Sequence, residues 1–325
     1  MTSPSPDTAA SDALHVVAVP ATTVWTSPDA PQTGHAPLVS ARADVTGWCL
    51  TEDPRRRLDL HGRTLTQALL GEPVIVDEER AGWARVRLPW QPSAAASGGY
   101  PGWVPRHHLG EAPRQAAELT AVVIAATTTL RRRDAAVGDA EALEVSLGTV
   151  LPVPQLRQPA DRAVGVRLPD GSLAEVTATD VLLRTPREAA RPGASAEALR
   201  LAQGLLGTQY FWGGTSRWAV DCSGLVHLTL RAAGVTVPRD ASDQCAAIEH
   251  VHPDSVRPGD LYFFADSGGP VTHVGFVSDT PTAGRRPMLH APELGGRGRV
   301  EDTEMSSALL SRLIAAGRVR SREDG

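Results

Sequence analysis

A multidomain fold mixing helices and strands is what this 325-residue sequence predicts, and three observations predict it. The first is an imperfect internal repeat before residue 190. The second is a run of apolar residues at helical spacing that begins just after a cysteine. The third is a pair of strand-like segments further on, each carrying a histidine. A chain of this length exceeds one typical domain and has material for several cores.

Met1 to Ala13 is rich in Ser, Pro, Thr and Asp and is expected to be disordered. It has neither the positive n-region nor the apolar stretch of a signal peptide. The repeat then begins: Ala18 to Ala30 (AVPATTVWTSPDA) matches Val123 to Ala135 (VIAATTTLRRRDA). Gly71 to Val76 (GEPVIV) matches Gly148 to Val153 (GTVLPV), and Ala84 to Pro89 (ARVRLP) matches Val164 to Pro169 (VGVRLP). Gly102-Trp103-Val104 corresponds to Ala174-Glu175-Val176. Each copy holds short β-rich runs broken by Gly, Pro and Asp, including the turn signal Pro169-Asp170-Gly171, and so reads as a small all-β unit. The expected units span 14–113 and 117–186, the first with an insertion between about residues 31 and 64, and a further domain occupies 193–325.

In that last domain, Gln209-Tyr210-Phe211-Trp212-Gly213-Gly214 precedes Asp221-Cys222-Ser223-Gly224. Leu225, Val226, Leu228, Thr229, Leu230, Ala232 and Ala233 recur at helical spacing and stop at Gly234. Cys222 therefore falls in the first helical turn. Unpaired backbone N–H groups and the positive end of the helix dipole favour the thiolate there, the form that attacks carbonyl carbon. The alternative for a lone cysteine is a small buried apolar residue. Alternation over Val271 to Val277 puts His273 on one face with Val271, Gly275 and Val277. Met288-Leu289-His290-Ala291-Pro292 follows a turn-rich connection from Pro281 to Pro287. If the two strands pair, their imidazoles share a face within roughly 5 Å at Cβ. A nucleophile, a base and a residue that orients the base make the general layout of cysteine acyl transfer. With no asparagine in the chain, His290 fills the third position. Either histidine could instead be a satisfied core residue.

Other chemistries lack their signatures. No Gly-x-Ser-x-Gly elbow surrounds Ser216 or Ser223, and there is no His-Glu-x-x-His or Cys-x-x-Cys. His250-Val251-His252 reads as exposed imidazoles on a loop before Pro253 rather than as a zinc pair, so no metal and no cofactor is expected. Three widely spaced cysteines make no disulfide framework. Cys49 is expected in a loop and Cys245 in a short helix, both structural. Every one of the 32 basic residues is arginine, the net charge is −5, and basic runs such as Arg131-Arg132-Arg133 are short. That balance gives no support to nucleic-acid binding. No run of about 18 apolar residues could span a bilayer. The expected location is the cytoplasm, with export by a route invisible in the sequence as the alternative.

Tyr210 to Gly214, Asp221 to Gly224, Arg257-Pro258-Gly259-Asp260-Leu261, Thr272 to Gly275 and Leu289-His290-Ala291 occur in an order that resembles the NlpC-type family of papain-like cysteine peptidases. The resemblance covers residues 195–325. It implies an α+β fold, Cys222, His273 and His290 as a triad, and action on bacterial cell-wall peptides, often at a γ-D-glutamyl bond. Tyr210 matches a family tyrosine near the oxyanion site, with a packed strand aromatic as the alternative. The repeated units resemble bacterial SH3-like barrels. The predicted fold class is therefore α+β: two small SH3-like β-barrels followed by an NlpC-type domain.

Such a pair of barrels is similar to one branch of the family, the γ-D-glutamyl-L-diamino-acid endopeptidases of free murein peptides, also called dipeptidyl-peptidase VI. In that branch the first barrel closes the pocket for the substrate's N-terminal L-alanine. The positions that match are Glu72, Tyr100 and Asp240. Carboxylates in a small closed site bind an ammonium well, and a phenol can orient it. The alternatives are a surface or capping carboxylate for Glu72 and Asp240, and barrel core for Tyr100. Arg239 could pair with a substrate carboxylate or a neighbouring acid. Ala241 stands where the family often has a hydroxyl, which leaves backbone contact there, and Ser223 is a further substrate-binding candidate. The expected partner is thus a murein peptide, L-Ala-γ-D-Glu-diamino acid, with oligomeric state open. Two rivals remain: an amidase or acyltransferase using the same triad, and a wall-bound endopeptidase or wall-binding module targeted by its SH3-like units.

Overall fold

The computed structural model describes residues 14–51, 59–112, 117–133, 142–154, 162–185, 193–282, 284–293 and 298–319. The expected disordered stretch 1–13 lies outside them, as do most of the joints between the expected units.

The first unit comprises β1 (Leu14–Val17), β2 (Ala21–Trp25), α1 (Ala36–Val39), α2 (Val45–Thr51), β3 (Thr64–Leu69), β4 (Pro73–Arg80), β5 (Trp83–Leu88), β6 (Tyr100–Pro105) and β7 (Leu109–Glu111). Both helices sit in the insertion, and Cys49 lies in α2 rather than in a loop. The second unit comprises β8 (Thr120–Val123), β9 (Thr127–Arg132), β10 (Ala142–Ser146), β11 (Val150–Pro152), β12 (Ala163–Arg167), β13 (Leu173–Thr177) and β14 (Val181–Arg184).

The repeat is visible strand for strand. In the first unit β1 pairs with β4 and β7, β2 with β3 and β6, and β5 with β4 and β6. In the second, β8 pairs with β11 and β14, β9 with β10 and β13, and β12 with β13. The pairing that does not recur, β11 with β12, flanks residues 155–161, outside those described. Period-two patterning gives each unit its own core, around Val24, Val86 and Val104 in one and Leu130, Val166 and Val176 in the other.

Neither unit closes into a ring of paired strands among the described residues, contrary to the barrel expectation. The first is a seven-stranded sheet running β3-β2-β6-β5-β4-β1-β7, the second two sheets of four and three strands. At the edge of the first sheet, β3 turns polar side chains to the last domain. Thr64 Oγ1 donates to the Trp212 carbonyl at 2.8 Å, and Gln67 Oε1 accepts from the Thr215 N–H and Ser216 Oγ.

The last domain comprises α3 (Ala194–Gln203), β15 (Gln209–Tyr210), β16 (Thr215–Ser216), β17 (Ala219–Val220), α4 (Cys222–Ala232), α5 (Ala241–Ala247), β18 (Glu249–Val251), β19 (Leu261–Ala265), β20 (Val271–Val277), β21 (Pro287–His290), β22 (Glu301–Glu304), α6 (Ser307–Leu310) and β23 (Leu313–Arg318). Its main sheet runs β18-β23-β19-β20-β21-β22, with α4 and α5 packed on β20 and α3 on α4. His250 belongs to β18, which pairs with β23, not to a loop, and the imidazole is exposed. Among the described residues no group of three potential ligands could hold a metal, and no helix is long and apolar enough to cross a membrane.

One buried cluster crosses all three segments. Trp25, Leu38 and Trp48 from the first unit, Val122 and Leu147 from the second, and Phe211, Leu225 and Leu228 of the last pack together. Trp48 and Phe211 meet edge to face, with ring centroids 5.2 Å apart. The segments therefore share a core instead of hanging from one another by linkers.

Candidate active site

The start of α4 is fixed by its N-cap, Asp221. Its Oδ1 accepts from the Gly224 N–H at 2.6 Å and its Oδ2 from the Gly213 N–H at 2.9 Å. An N-cap carboxylate satisfies backbone donors that the helix itself leaves unpaired. Position 224 must be glycine, because a Cβ there would lie 2.0 Å from the Gly214 carbonyl oxygen. The Trp-Gly-Gly and Asp-Cys-Ser-Gly motifs thus interlock, and Cys222 is held in the first turn as its neighbours' patterning predicts.

Strands β20 and β21 pair antiparallel, with Phe276 opposite Leu289. Continuing that register sets His290 opposite Gly275, and a Cβ on Gly275 would stand 2.8 Å from the His290 Cβ. The glycine of Thr272-His273-Val274-Gly275 is what admits the second histidine. His273 Nε2 and His290 Nδ1 lie 2.7 Å apart, a hydrogen bond between imidazoles. His290 Nε2 is buried and has no hydrogen-bond partner among the described residues; Glu301 Oε1 lies 3.5 Å from it.

Electrostatics at Cys222 differ from the expectation of a standing thiolate. Burial pushes the thiol up to about 12, and the Asp221 charge acts in the same sense. Hydrogen bonds from the backbone N–H groups of Val274 and Ser223, with the Arg239 charge, work the other way but do not prevail. Burial likewise lowers His273 to about 3, assisted by His290 and Arg312, and His290 to about 4. Burial thus disfavours the charged form of all three side chains. The Val274 contact sets the sulfur beside the strand that carries His273. The Tyr210 phenol is pushed above its ordinary range by burial and then by its proximity to Cys222, so it stays a hydrogen-bond donor.

The proposed ammonium ligands separate. Tyr100 Oη donates to Asp240 at 2.9 Å, joining the first unit to the last domain. Asp240 stands at the N-cap of α5 without capping it, and burial raises its carboxyl. The loop before β6 locks the same contact: the Arg239 N–H donates to the Pro92 carbonyl and the Ala94 N–H to Asp243.

Glu72 is not part of that group. Its carboxylate is enclosed by the Arg231 guanidinium at 2.8 Å, Gln91 Nε2 at 2.8 Å and the Leu69 N–H at 3.2 Å. A buried carboxylate with three donors has no call for an external cation. Arg239 is also absent from any substrate surface: it is 1% exposed, and its guanidinium holds Asp221 at 2.7 Å and Thr66 Oγ1 at 2.8 Å. Of the two readings left open for this arginine, the neighbouring acid is the one observed. Ser223 Oγ accepts from Arg239 at 2.9 Å and donates to Asp221, so its hydroxyl is taken up internally.

Thr66 and Gln91 are parts of this arrangement that the sequence did not single out. Thr66 Oγ1 donates to Gln91 Oε1 at 2.7 Å, extending the chain of contacts from Asp221 through Arg239 to Glu72. Both are ordinary polar residues in sequence; only the docking of β3 on the last domain gives them a role. His61 pairs with Glu293, whose charge acts on Tyr210, and its ring lies against Trp212 at 4.0 Å between ring centroids. Two cavities, one against Arg217 and Trp218 and one against Arg299 to Thr303, are lined by none of Cys222, His273 and His290.

Two parts of this layout match known families. Residues 207–314 match the NlpC/P60 family, and residues 55–109 the bacterial dipeptidyl-peptidase Sh3 domain. The chain is 29% identical over 286 residues to a gamma-D-glutamyl-L-lysine dipeptidyl-peptidase of Bacillus subtilis, covering 87% of this chain and 91% of that one. It is 31% identical over 289 residues to a protein of the same name from Bacillus cereus, covering 86% and 84%. A crystal structure of an NlpC/P60 family protein from Bacillus cereus superposes with a TM-score of 0.84 at 28% identity, covering 94% of this chain and 99% of that one.

Proposed function

This chain belongs to the NlpC/P60 family and is a cysteine peptidase, and from that premise we propose that it hydrolyses the γ-D-glutamyl bond to the diamino acid in free murein peptides with an unblocked N-terminal L-alanine. The observation that carries this reading is the Tyr100 to Asp240 hydrogen bond. Among the described residues Asp240 accepts a side-chain hydrogen bond from Tyr100 alone. A partly buried carboxylate left so sparsely paired gains most from a cation, and the free α-ammonium of L-alanine supplies one. In this reading the first unit, joined to Asp240 through Tyr100, closes the end of the site that receives the ammonium, which argues for a short peptide over a long wall strand. The names of the two Bacillus relatives support the γ-D-glutamyl bond.

In this reading Cys222 Sγ attacks the γ-carbonyl carbon of D-glutamate while His273 takes the thiol proton and returns it to the leaving amine. His273 Nε2 is committed to His290, which leaves Nδ1 to face the sulfur. Backbone N–H groups at the start of α4 and the Tyr210 hydroxyl stabilise the oxyanion, and water releases the thioester. Residues 117–186 are read as a second SH3-like unit, on the strand pairings they share with 14–113. A cytoplasmic site of action goes with a free-peptide substrate.

The test is incubation with L-Ala-γ-D-Glu-meso-diaminopimelate and its L-lysine counterpart, followed by mass spectrometry. Release of L-Ala-D-Glu is expected, nearly abolished by N-terminal acetylation. Equal cleavage of the acetylated peptide, or preference for cross-linked peptidoglycan, would assign the protein to the wall instead. Capture of the acyl group by an added amine in place of water would mark an acyltransferase.

A further inference from the structure

We propose that Glu301 is a positioning residue that holds His290 in one tautomer and thereby keeps His273 competent as a base; this rests on the reading of Cys222, His273 and His290 as the reacting set. Glu301 is the direct cross-strand partner of His290 between β22 and β21. Its Oε1 lies 3.5 Å from His290 Nε2, a nitrogen otherwise without a hydrogen-bond partner among the described residues. The His290 side chain is 6% exposed, whereas that of Glu301 is one-third exposed at the sheet margin. Water can reach the acid without reaching the ring.

Two neutral imidazoles joined by one hydrogen bond have two arrangements. In the first, His273 Nε2–H donates to His290 Nδ1, so the proton of His290 sits on Nε2 and points at Glu301. In the second, His290 Nδ1–H donates to His273 Nε2. His273 then carries its own proton on Nδ1 and cannot accept one from Cys222, and a lone pair of His290 faces the carboxylate. Only the first arrangement has a working base, and only the first is attractive toward Glu301. Once His273 takes the thiol proton, the positive charge is spread toward His290 and met by the same carboxylate. A neutral histidine bridging to an acid thus stands in for the aspartate of a three-membered triad.

The surrounding charges do not supply a substitute. Arg312 faces the pair from the segment before β23 and donates to Thr272 Oγ1. On β22 itself, Asp302 accepts from Ser278 and Glu304 from Arg285. The contact at 3.5 Å is long for a hydrogen bond, as such contacts often are before substrate closes a site.

The full-length chain carrying Glu301→Gln, Glu301→Ala or Glu301→Asp tests this. Glutamine offers both a donor and an acceptor and so permits either tautomer. Expected for Glu301→Gln and Glu301→Ala is a fall in kcat of about 10-fold or more with KM unchanged, partly restored in Glu301→Asp. Nitrogen-15 NMR of the imidazoles should show His290 passing from Nε2–H to a mixture of tautomers, and alkylation of Cys222 by iodoacetamide should slow in parallel. A single Nε2–H tautomer and an unchanged alkylation rate in Glu301→Gln would overturn the proposal. These two readouts need no peptide substrate. A wild-type protein that cleaves neither tripeptide would defeat the assigned substrate while leaving the tautomer result to decide on Glu301.

Discussion

At the scale of single residues, burial disfavours charge on every member of the reacting set, Cys222, His273 and His290. Burial and the Asp221 charge push the Cys222 thiol up, against the helix terminus, so in the proposed mechanism His273 takes its proton as the sulfur attacks. His273→Ala should therefore slow both peptide cleavage and alkylation of Cys222 by at least about 10²-fold near pH 7.5, the contribution of a positioned general base. Stopped-flow or mass-spectrometric labelling measures the second, and unchanged labelling would show that another group takes the proton. Cys222 and the two histidines were legible because short motifs set each in a helical or strand context. The upward push on the thiol was not, because it comes from burial in the folded chain and from the Asp221 carboxylate. Arg239 illustrates the same limit: its neighbour in sequence is Asp240, yet its guanidinium turns to Asp221, 18 positions away.

At the scale of elements, β20 and β21 can carry adjacent imidazoles only because Gly275 vacates the space between them. Gly275→Ala should push His290 off His273 and lower kcat at least about 10-fold, with a smaller change in Tm, since the strand itself tolerates alanine. Full activity in that variant would mean the strands relax without cost. The link between β6 and α5 carries a second expectation. Tyr100→Phe and Asp240→Asn should each reduce kcat/KM for the free peptide by about 30-fold, within the roughly 2–5 kcal/mol of a truncated buried charge contact. Glu72→Gln should behave differently, because it breaks a buried pair with Arg231. It should cost roughly 3–5 kcal/mol of stability, read in a denaturant melt, with little effect on discrimination against acetylated peptide. The repeat announced which strands the two units contain and in what order. It could not announce that β3 docks on the last domain, since the successive residues Thr66 and Gln67 would point to opposite faces of a regular strand, yet both reach Thr215.

For the molecule as a whole, buried imidazoles tie stability to pH. Burial lowers His108 and His290 to about 4, His273 to about 3, and His227 well below its ordinary 6.5. Each is depressed in the fold, so the unfolded chain binds protons first. Their contribution is intact above about 6.5 and is lost as pH falls toward 4, at up to about 1.4 kcal/mol per pH unit for each ring. Asp240, raised by burial, acts in the opposite sense but is one group against four. Scanning calorimetry should show Tm dropping steeply between pH 6.5 and 4.5, and His227→Gln should flatten that slope; a flat profile in the parent would contradict it. The shared core also bears on the order of synthesis. Arg239 meets Thr66 across 173 positions, a separation that makes the contact slow to find by diffusion of the chain. A ribosome delivers Thr66 long before Arg239, so the receiving surface can be folded when the arginine emerges. A circular permutant that begins at residue 193 reverses this sequence of events: the nucleophile's helix would emerge with its arginine exposed and its acceptors unmade. Such a chain should reach the same native state but accumulate partly folded species on the way, and the gene order itself becomes part of how the peptidase avoids an ill-formed site.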